Sequence, residues 1–405
     1  MNYRSTIFSC ALTLLGVIIF VSFGQQQAEW KGTIEEKNGV TVVKNPKEPI
    51  YSEDILDLEE ELSIGESEGR EEYMFSQARD IEVDKTGRIY VLDTKEANVR
   101  VFDPKGNYIR TMGRKGQGPG ELQIPVDIYI DDKDKIYILD VNNDRLSVFN
   151  KHGDFVGSSN FKKSSLGNII GVNDQDEISL ITHTASKESG KNLLVFDSMV
   201  NIYSPHFELM KNLYRTSIHI MQTFVKEGRS LALGVPYRKT LCCKMDSRGN
   251  VYVAESQEYT IQVFSPDGKL IRWIEKEYKR KKVSKKDVDN YFNERFQNDE
   301  FLKKFWLRTI KEELKIPENM PVFNKFCFDN DKLLVIGHER DKKKRSFVDI
   351  FSSEGKYIGR TLLNVVPKIW KDNKLYTIEK DEDGYQYVKR YKVTWKISQE
   401  KKASI

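Results

Sequence analysis

The stretch GRKGQGPGEL, residues 113–122, sets four glycines and two cations within ten residues. Such loops grip phosphate when a strand precedes them and a helix N-terminus follows, because free N–H groups and the helix dipole then converge on the anion. Here Pro125 and the strand-like run VDIYID follow instead. The spacing therefore reads as turn chemistry, with Arg114 and Lys115 either incidental or facing a ligand. Other candidates for chemistry are sparse. His152, His183, His206, His219 and His338 stand singly, and beyond Cys10 the chain keeps only Cys242, Cys243 and Cys327. No CxxC and no Cys/His spacing suits zinc. Cys242 and Cys243 are adjacent, so in a strand they point to opposite faces and are poor disulfide partners. Structural cysteines and surface histidines are expected. No catalytic residue and no metal ligand is singled out.

The elements that would position any site are set by composition and repeats. A formal charge of +4 over 405 residues, with 39% hydrophobic residues, is ordinary for a globular protein and gives no global pull toward nucleic acid. Residues 1–24 stand apart: Arg4, an apolar run over 7–23, then Ser22 and Gly24 two small residues ahead of a cut at Gln25. This is the layout of a secretory signal peptide. The run is nearly long enough to span a bilayer, so an uncleaved anchor is the alternative. A secreted or periplasmic location is expected, with membrane contact only if the segment stays attached.

Set against itself, the chain repeats six times. Copies begin at Ala78, Pro125, Asn168, Cys242, Lys325 and Val366, those at 168 and 366 being degenerate. Each holds four short runs rich in Val, Ile, Tyr and Phe, separated by turns such as DKTGR, DPKGN and SPDGK. Asp followed by Gly suits tight turns that need φ above zero. Four antiparallel strands in some 40–50 residues cannot bury both faces alone, whereas radial stacking can. A six-bladed all-β propeller with four-stranded antiparallel blades is predicted, ahead of a solenoid. The last copy has only three strands, so residues 57–64 are predicted to complete it and join the termini. The expected layout is an N-terminal extension over 25–54, with a hairpin pattern at 33–44 that the repeat does not place. The propeller follows over 55–397, with a helical insertion over 276–322 and a charged tail over 398–405.

The copies resemble NHL repeats, whose pattern runs from a Gly-rich linker through Pro to VDxxGxIYVxDxxNxRIxVFDxxGxxI. The best match lies over 113–156 and includes Asn143 and Arg145, with Asp144 where the family name has His. The exported N-terminus with GRKGQGPGE is similar to secreted bacterial six-bladed propellers. The resemblance spans roughly 55–395 and implies the fold. It implies no single activity, since members bind proteins, RNA or glycans and some are lyases or lactonases. Lyases of this kind use metal-binding histidines in the central channel, and lactonases hold a divalent ion with Glu, Asn and Asp from different blades. Neither set can be carried onto named positions here.

Blade topology sorts the loops onto two faces. Strand 1–2 and 3–4 turns share one, and the 2–3 and inter-blade connections share the other. The long excursions 65–77, 113–124, 205–240 and 276–322 all fall on the second face, which marks it as the binding side. Within the last of these, Ser284 and Asp287 form a capping-box pattern. Phe301, Leu302, Phe305, Trp306, Ile310 and Leu314 recur at helical spacing before Pro317. This predicts a helical hairpin whose stripe packs onto the propeller rim, or else serves as a lid or docking helix. The runs KRKKVSKK over 279–286 and GHERDKKKRS over 337–346 add basic loops to the same face. Candidate binding residues there are Arg114, Lys115, Arg145, Glu255, His338, Arg340 and Trp306. The expected function is a binding scaffold for protein or polysaccharide, with no cofactor and no nucleic-acid partner. The alternative is a metal-assisted lyase or lactonase, with a divalent cation held by carboxylates around the central channel.

Overall fold

The first four blades rest on one local device. Asp84 follows the first strand of its blade, and its Oδ1 accepts the N–H groups of Thr86 (2.8 Å) and Arg88 (3.0 Å) while Gly87 takes φ +81°. Asp131 holds Lys133 and Lys135 in the same way, both at 2.8 Å, and Asp246 holds Arg248 and Asn250 at 2.9 Å. The side chain supplies the hydrogen bonds that a turn cannot make itself, which is why Asp and Asn recur there. The free carboxylate oxygen then accepts the hydroxyl of a tyrosine in the next strand. Tyr90 reaches Asp84 at 3.1 Å and Tyr137 reaches Asp131 at 3.0 Å. The Tyr in the IYV and IYI runs thus ties each second strand to the turn that starts it.

The computed structural model describes residues 29–51, 55–160, 165–190, 192–296, 299–301, 304–305 and 307–396. The signal-peptide reading at 1–24 and the tail at 398–405 lie outside these. No described helix is long and apolar enough to cross a membrane.

Six sheets form the ring. Blade 1 is β4 (Ala78–Val83), β5 (Ile89–Asp93), β6 (Asn98–Phe102) and β7 (Tyr108–Met112). Blade 2 is β8 (Pro125–Ile130), β9 (Ile136–Asp140), β10 (Arg145–Phe149) and β11 (Phe155–Asn160). Blade 3 runs from β12 (Ser165–Val172) through β13 (Ile178–Ala185), β14 (Leu193–Tyr203) and β15 (Leu209–Lys226) to a fifth strand, β16 (Arg229–Gly234). Blade 4 holds β17 (Leu241–Met245), β18 (Val251–Glu255), β19 (Thr260–Phe264) and β20 (Leu270–Lys276). Blade 5 holds β21 (Phe323–Asp329), β22 (Lys332–Arg340), β23 (Ser346–Phe351) and β24 (Tyr357–Leu363). Blade 6 holds β25 (Ile369–Lys371), β26 (Lys374–Lys380) and β27 (Gln386–Trp395). Its fourth strand is β3 (Leu56–Ile64), antiparallel to β27 with Trp395 opposite Leu56. The ring closes as the three-strand last repeat predicts.

Buried side chains form one apolar cluster at each junction between neighbouring blades. Ile81 and Val91 pack with Tyr376 and Val388 across blades 6 and 1, and Leu92 and Val99 pack with Ile128 and Ile138 across blades 1 and 2. Each sheet is therefore apolar on both faces, and only the radial stack removes both from water.

Two features depart from the expected layout. The hairpin at 33–44 finds its place as β1 (Thr33–Lys37) and β2 (Val40–Asn45), with β2 pairing in parallel with β20 so that blade 4 becomes six-stranded. The predicted long loop at 205–240 is mostly strand. β15 outruns β14, whose first residue Leu193 pairs with Gln222, and its last turn pairs with β16 instead. The repeat template ends a blade at four strands and so hides this extension.

Candidate binding face

The two faces of the ring differ in kind. The 1–2 and 3–4 turns are short, side-chain-locked connections. The opposite face carries residues 65–77 and 113–124, the β15–β16 hairpin and the insertion between Lys276 and Phe323. The hairpin and the insertion are one unit. Helix α1 (Lys285–Arg295) starts with the capping box, Ser284 N donating to Asp287 Oδ2 at 2.9 Å and Asp287 N to Ser284 Oγ at 3.2 Å. Phe292 of α1, Phe296 at its C-cap, Ile310 of α2 (Leu307–Glu313) and Leu314 enclose Phe224 and Leu233 of the hairpin. Gln222 clips the far end by donating to Glu313 O (2.8 Å) and accepting from Lys315 N (3.0 Å). Of the stripe predicted to lie on the rim, Phe305, Ile310 and Leu314 instead meet this hairpin, forming a small second core, while Phe301 is 50% exposed and Leu302 lies outside the described residues. The reason is local: β15 brings Phe224 beyond the blade, where nothing else can cover it.

Along the axis the first strands present charge. β-bulges follow Ala78, Pro125 and Phe323, so Asp80, Asp127 and Lys325 occupy equivalent re-aimed positions in blades 1, 2 and 5. Two residues on, Glu82 and Tyr129 share the strand face of Asp80 and Asp127. Burial pushes the Glu82 carboxyl up to about 7, with Asp80 adding to it and Lys244 and Lys371 opposing. Burial, then the charge of Asp80 and a hydrogen bond with it, push Asp127 well above the carboxylate range, although Ile169 N donates to Asp127 Oδ2 at 2.6 Å. Burial disfavours the Lys244 ammonium, but Glu82, Tyr129 and Asp127 outweigh it and hold its pKa above the ordinary value. Lys371 Nζ donates to Val83 O at 2.8 Å, and Lys325 Nζ donates to Pro367 O and Lys368 O at 2.9 Å. Carboxylates of blades 1 and 2 thus face lysines of blades 4 to 6. Among the described residues no three His, Cys, Asp or Glu side chains converge as a metal site.

Where blade 6 meets blade 1, the loop face opens into a pocket of about 550 Å³. Arg79, Lys95, Lys368 and Lys380 line it, with Ser76, Gln77 and Gln386. Gln386 is fixed by a reciprocal pair, accepting from Ala78 N at 2.8 Å and donating to Ala78 O at 3.1 Å. Lys368 Nζ donates to Arg79 O at 2.6 Å, and burial lowers its pKa. No sequence motif marked these four cations. They come from four segments of two blades, and only ring closure brings 79 beside 368.

The residues selected from sequence scatter over the face. Arg114 is exposed and pairs with Glu121 at 2.8 Å, and Lys115 is exposed beside it. The Gly-rich segment is a turn, as predicted, closed by Leu122 N to Arg114 O at 2.8 Å and entering β8 directly. Arg145 is turned inward and buried, donating to Gln117 O (3.1 Å), Gly118 O (2.9 Å) and Glu121 O. Its guanidinium fastens the turn, so it is not presented to a ligand. Glu255 accepts from Tyr214 OH at 3.0 Å and pairs with Lys239 at 3.1 Å. Burial pushes this carboxyl up, but contacts from Thr216, Lys239 and Tyr214 prevail and hold it low. His338 is half-buried against the edge of Tyr237, with Nδ1 3.0 Å from Asn324 Oδ1, and burial lowers its pKa. Arg340 is exposed at the end of β22. Trp306 lies outside the described residues. Cys242 and Cys327 are buried, Cys243 partly so, and all three thiols are free.

Six radially stacked sheets, closed by a strand from the other end of the chain, define a six-bladed β-propeller. The chain belongs to the DUF5128 family of 6-bladed β-propellers, whose model matches residues 31–300. No curated protein matches it. Similar solved structures include a candidate exported protein from Bacteroides fragilis, at 13% identity and TM-score 0.49 over 88% of this chain and 99% of that one. A DUF4221-family member from Bacteroides vulgatus gives 12% and 0.49, over 84% and 99%. Virginiamycin B lyase from Staphylococcus aureus gives 7% and 0.41, over 83% and 99%. At this distance none of them bears on what the chain does.

Proposed function

We propose that the chain is an exported binding scaffold that engages a protein or glycan through the face carrying the inter-blade loops and the helical insertion. The asymmetry of the ring carries this reading. One face is sealed by turns whose side chains are spent on their own backbone, such as Asp103 with Lys105 N and Asn107 N at 2.8 Å. The other carries every long excursion, the α1/α2 cap and the basic pocket. Repeat proteins gather insertions on the side that meets a ligand. Export rests on the signal-like residues 1–24, and N-terminal sequencing of the mature protein checks it.

Charge reversal tests the face. Glycan-array and partner binding should fall in a Lys95→Glu/Arg114→Glu variant and persist in Lys105→Glu/Lys151→Glu on the sealed side. Equal loss in both variants would overturn the reading.

A further inference from the structure

Among the described residues the four cations of the blade 6/blade 1 pocket form no ion pair, although the charges of Asp80 and Asp127 act on Lys368. Several exposed cations elsewhere on the face are paired, Lys282 with Glu318, Arg280 with Glu258 and Arg114 with Glu121, each at 2.8 Å, while others such as Lys115 and Arg340 stand singly rather than around a concavity. In the pocket, Lys95 and Lys380 are exposed and form no ion pair or side-chain hydrogen bond among the described residues. Arg79 spends its Nε on Val126 O at 2.9 Å, and Lys368 spends its ammonium on Arg79 O at 2.6 Å. Glu96, next to Lys95 in the chain, accepts from Ser76 Oγ at 2.5 Å. Four like charges around one concavity repel, and an anion seated among them removes that cost.

The lining adds uncharged hydrogen-bonding groups. Ser76, Gln77 and the immobilised Gln386 suit hydroxyl-rich ligands, and the pocket is open enough to admit part of a chain. We infer that this pocket binds an acidic saccharide, with carboxylate or sulfate groups on Arg79, Lys95, Lys368 and Lys380 and hydroxyls on the amides. The inference rests on the loop-face reading and names the class of ligand that this part of the face takes.

Titration calorimetry of the full chain with trigalacturonate, a sulfated disaccharide and inorganic phosphate tests it. Saturable binding of an acidic saccharide is expected. It should weaken at least about tenfold in Lys95→Gln/Lys380→Gln, and again in about 0.5 M NaCl. Both lysines are exposed, so an unchanged melting temperature should accompany the loss. Phosphate binding as tightly as the saccharides would overturn the saccharide assignment. No saccharide binding, or binding that the double variant leaves intact, would overturn the pocket. Hydrogen-exchange mapping with the bound saccharide separates the two levels. Protection elsewhere on the loop face removes the pocket and leaves the face, whereas protection over the sealed turns removes both.

Discussion

The amide of Tyr357 donates to Asn45 Oδ1 at 2.6 Å, joining blade 5 to the N-terminal hairpin across 312 residues of chain. Asn45 is 2% exposed, and its Nδ2 donates to Glu275 O (3.0 Å) and Gly355 O (2.9 Å). Trp30 Nε1 shares the same oxygen at 2.9 Å. One amide thus satisfies groups from three segments. Asn45→Ala leaves them unpaired and should cost about 2–3 kcal/mol in urea unfolding. It should also speed proteolysis within 29–45. A loss below about 0.5 kcal/mol would show that the hairpin is held by strand pairing alone.

Arg145 and Arg114 lie in contact with one turn but do different work. Arg145→Gln strips three carbonyls of a buried, charged donor and should destabilise by about 2 kcal/mol. Arg114→Gln removes an exposed ion pair and should change stability by about 0.5 kcal/mol or less. Equal effects would contradict the inward placement of Arg145.

Phe292 is 1% exposed in the small core built by the cap and the β15–β16 hairpin. Phe292→Ala should cost about 3–4 kcal/mol of cap stability. Because the six inter-blade clusters do not include it, amide protection should vanish over 285–314 while blade strands keep theirs. Deleting 281–316 should leave a folded propeller that binds a hydrophobic dye through uncovered Phe224 and Leu233. Global unfolding in either variant would mean that the cap belongs to the ring's core.

Glu82 supplies a pH signature. Its carboxyl protonates near 7 when folded, against 4.5 as the ordinary value. Between those values the folded chain keeps a proton that the unfolded chain has released, so stability falls as pH rises and levels off above 7. Glu82→Gln removes this term. Its stability relative to the parent should rise by on the order of 1–3 kcal/mol between pH 4.5 and 7. Asp127 shifts in the same direction and keeps part of the slope in the variant. A difference that stays flat across this range would refute the buried placement among Lys244, Lys371 and Asp80.

Blades were legible because their chemistry is local. An Asp that folds back on N–H groups two and four residues ahead, and a Tyr that reaches that Asp, sit within a window of seven residues, as from Asp84 to Tyr90. The cap helices were legible for the same reason, through Ser284 and Asp287. The binding candidates fared differently. Arg145 carries the repeat signature because it fastens a turn, so selecting by motif found a structural residue. Lys95, Lys368 and Lys380 belong to no motif at all.

By itself the sequence determined the period, the turns and the blade count, which follow from short-range hydrogen bonding and two-residue alternation, and the three-strand last copy pointed to residues 57–64 as its fourth strand. Tertiary structure decided the parallel seat of β2 on β20, the cap's footing on β15 and β16, the facing of Glu82 and Asp127 toward Lys244, and the gathering of Arg79 with Lys368. These depend on contacts between residues up to 289 apart in the chain, and the hydrogen bonds from β15 to the cap still span 79 and 91. Strand rotation at a bulge and the side-by-side seating of distant segments fix such contacts, and neither leaves a mark in the spacing of residue types.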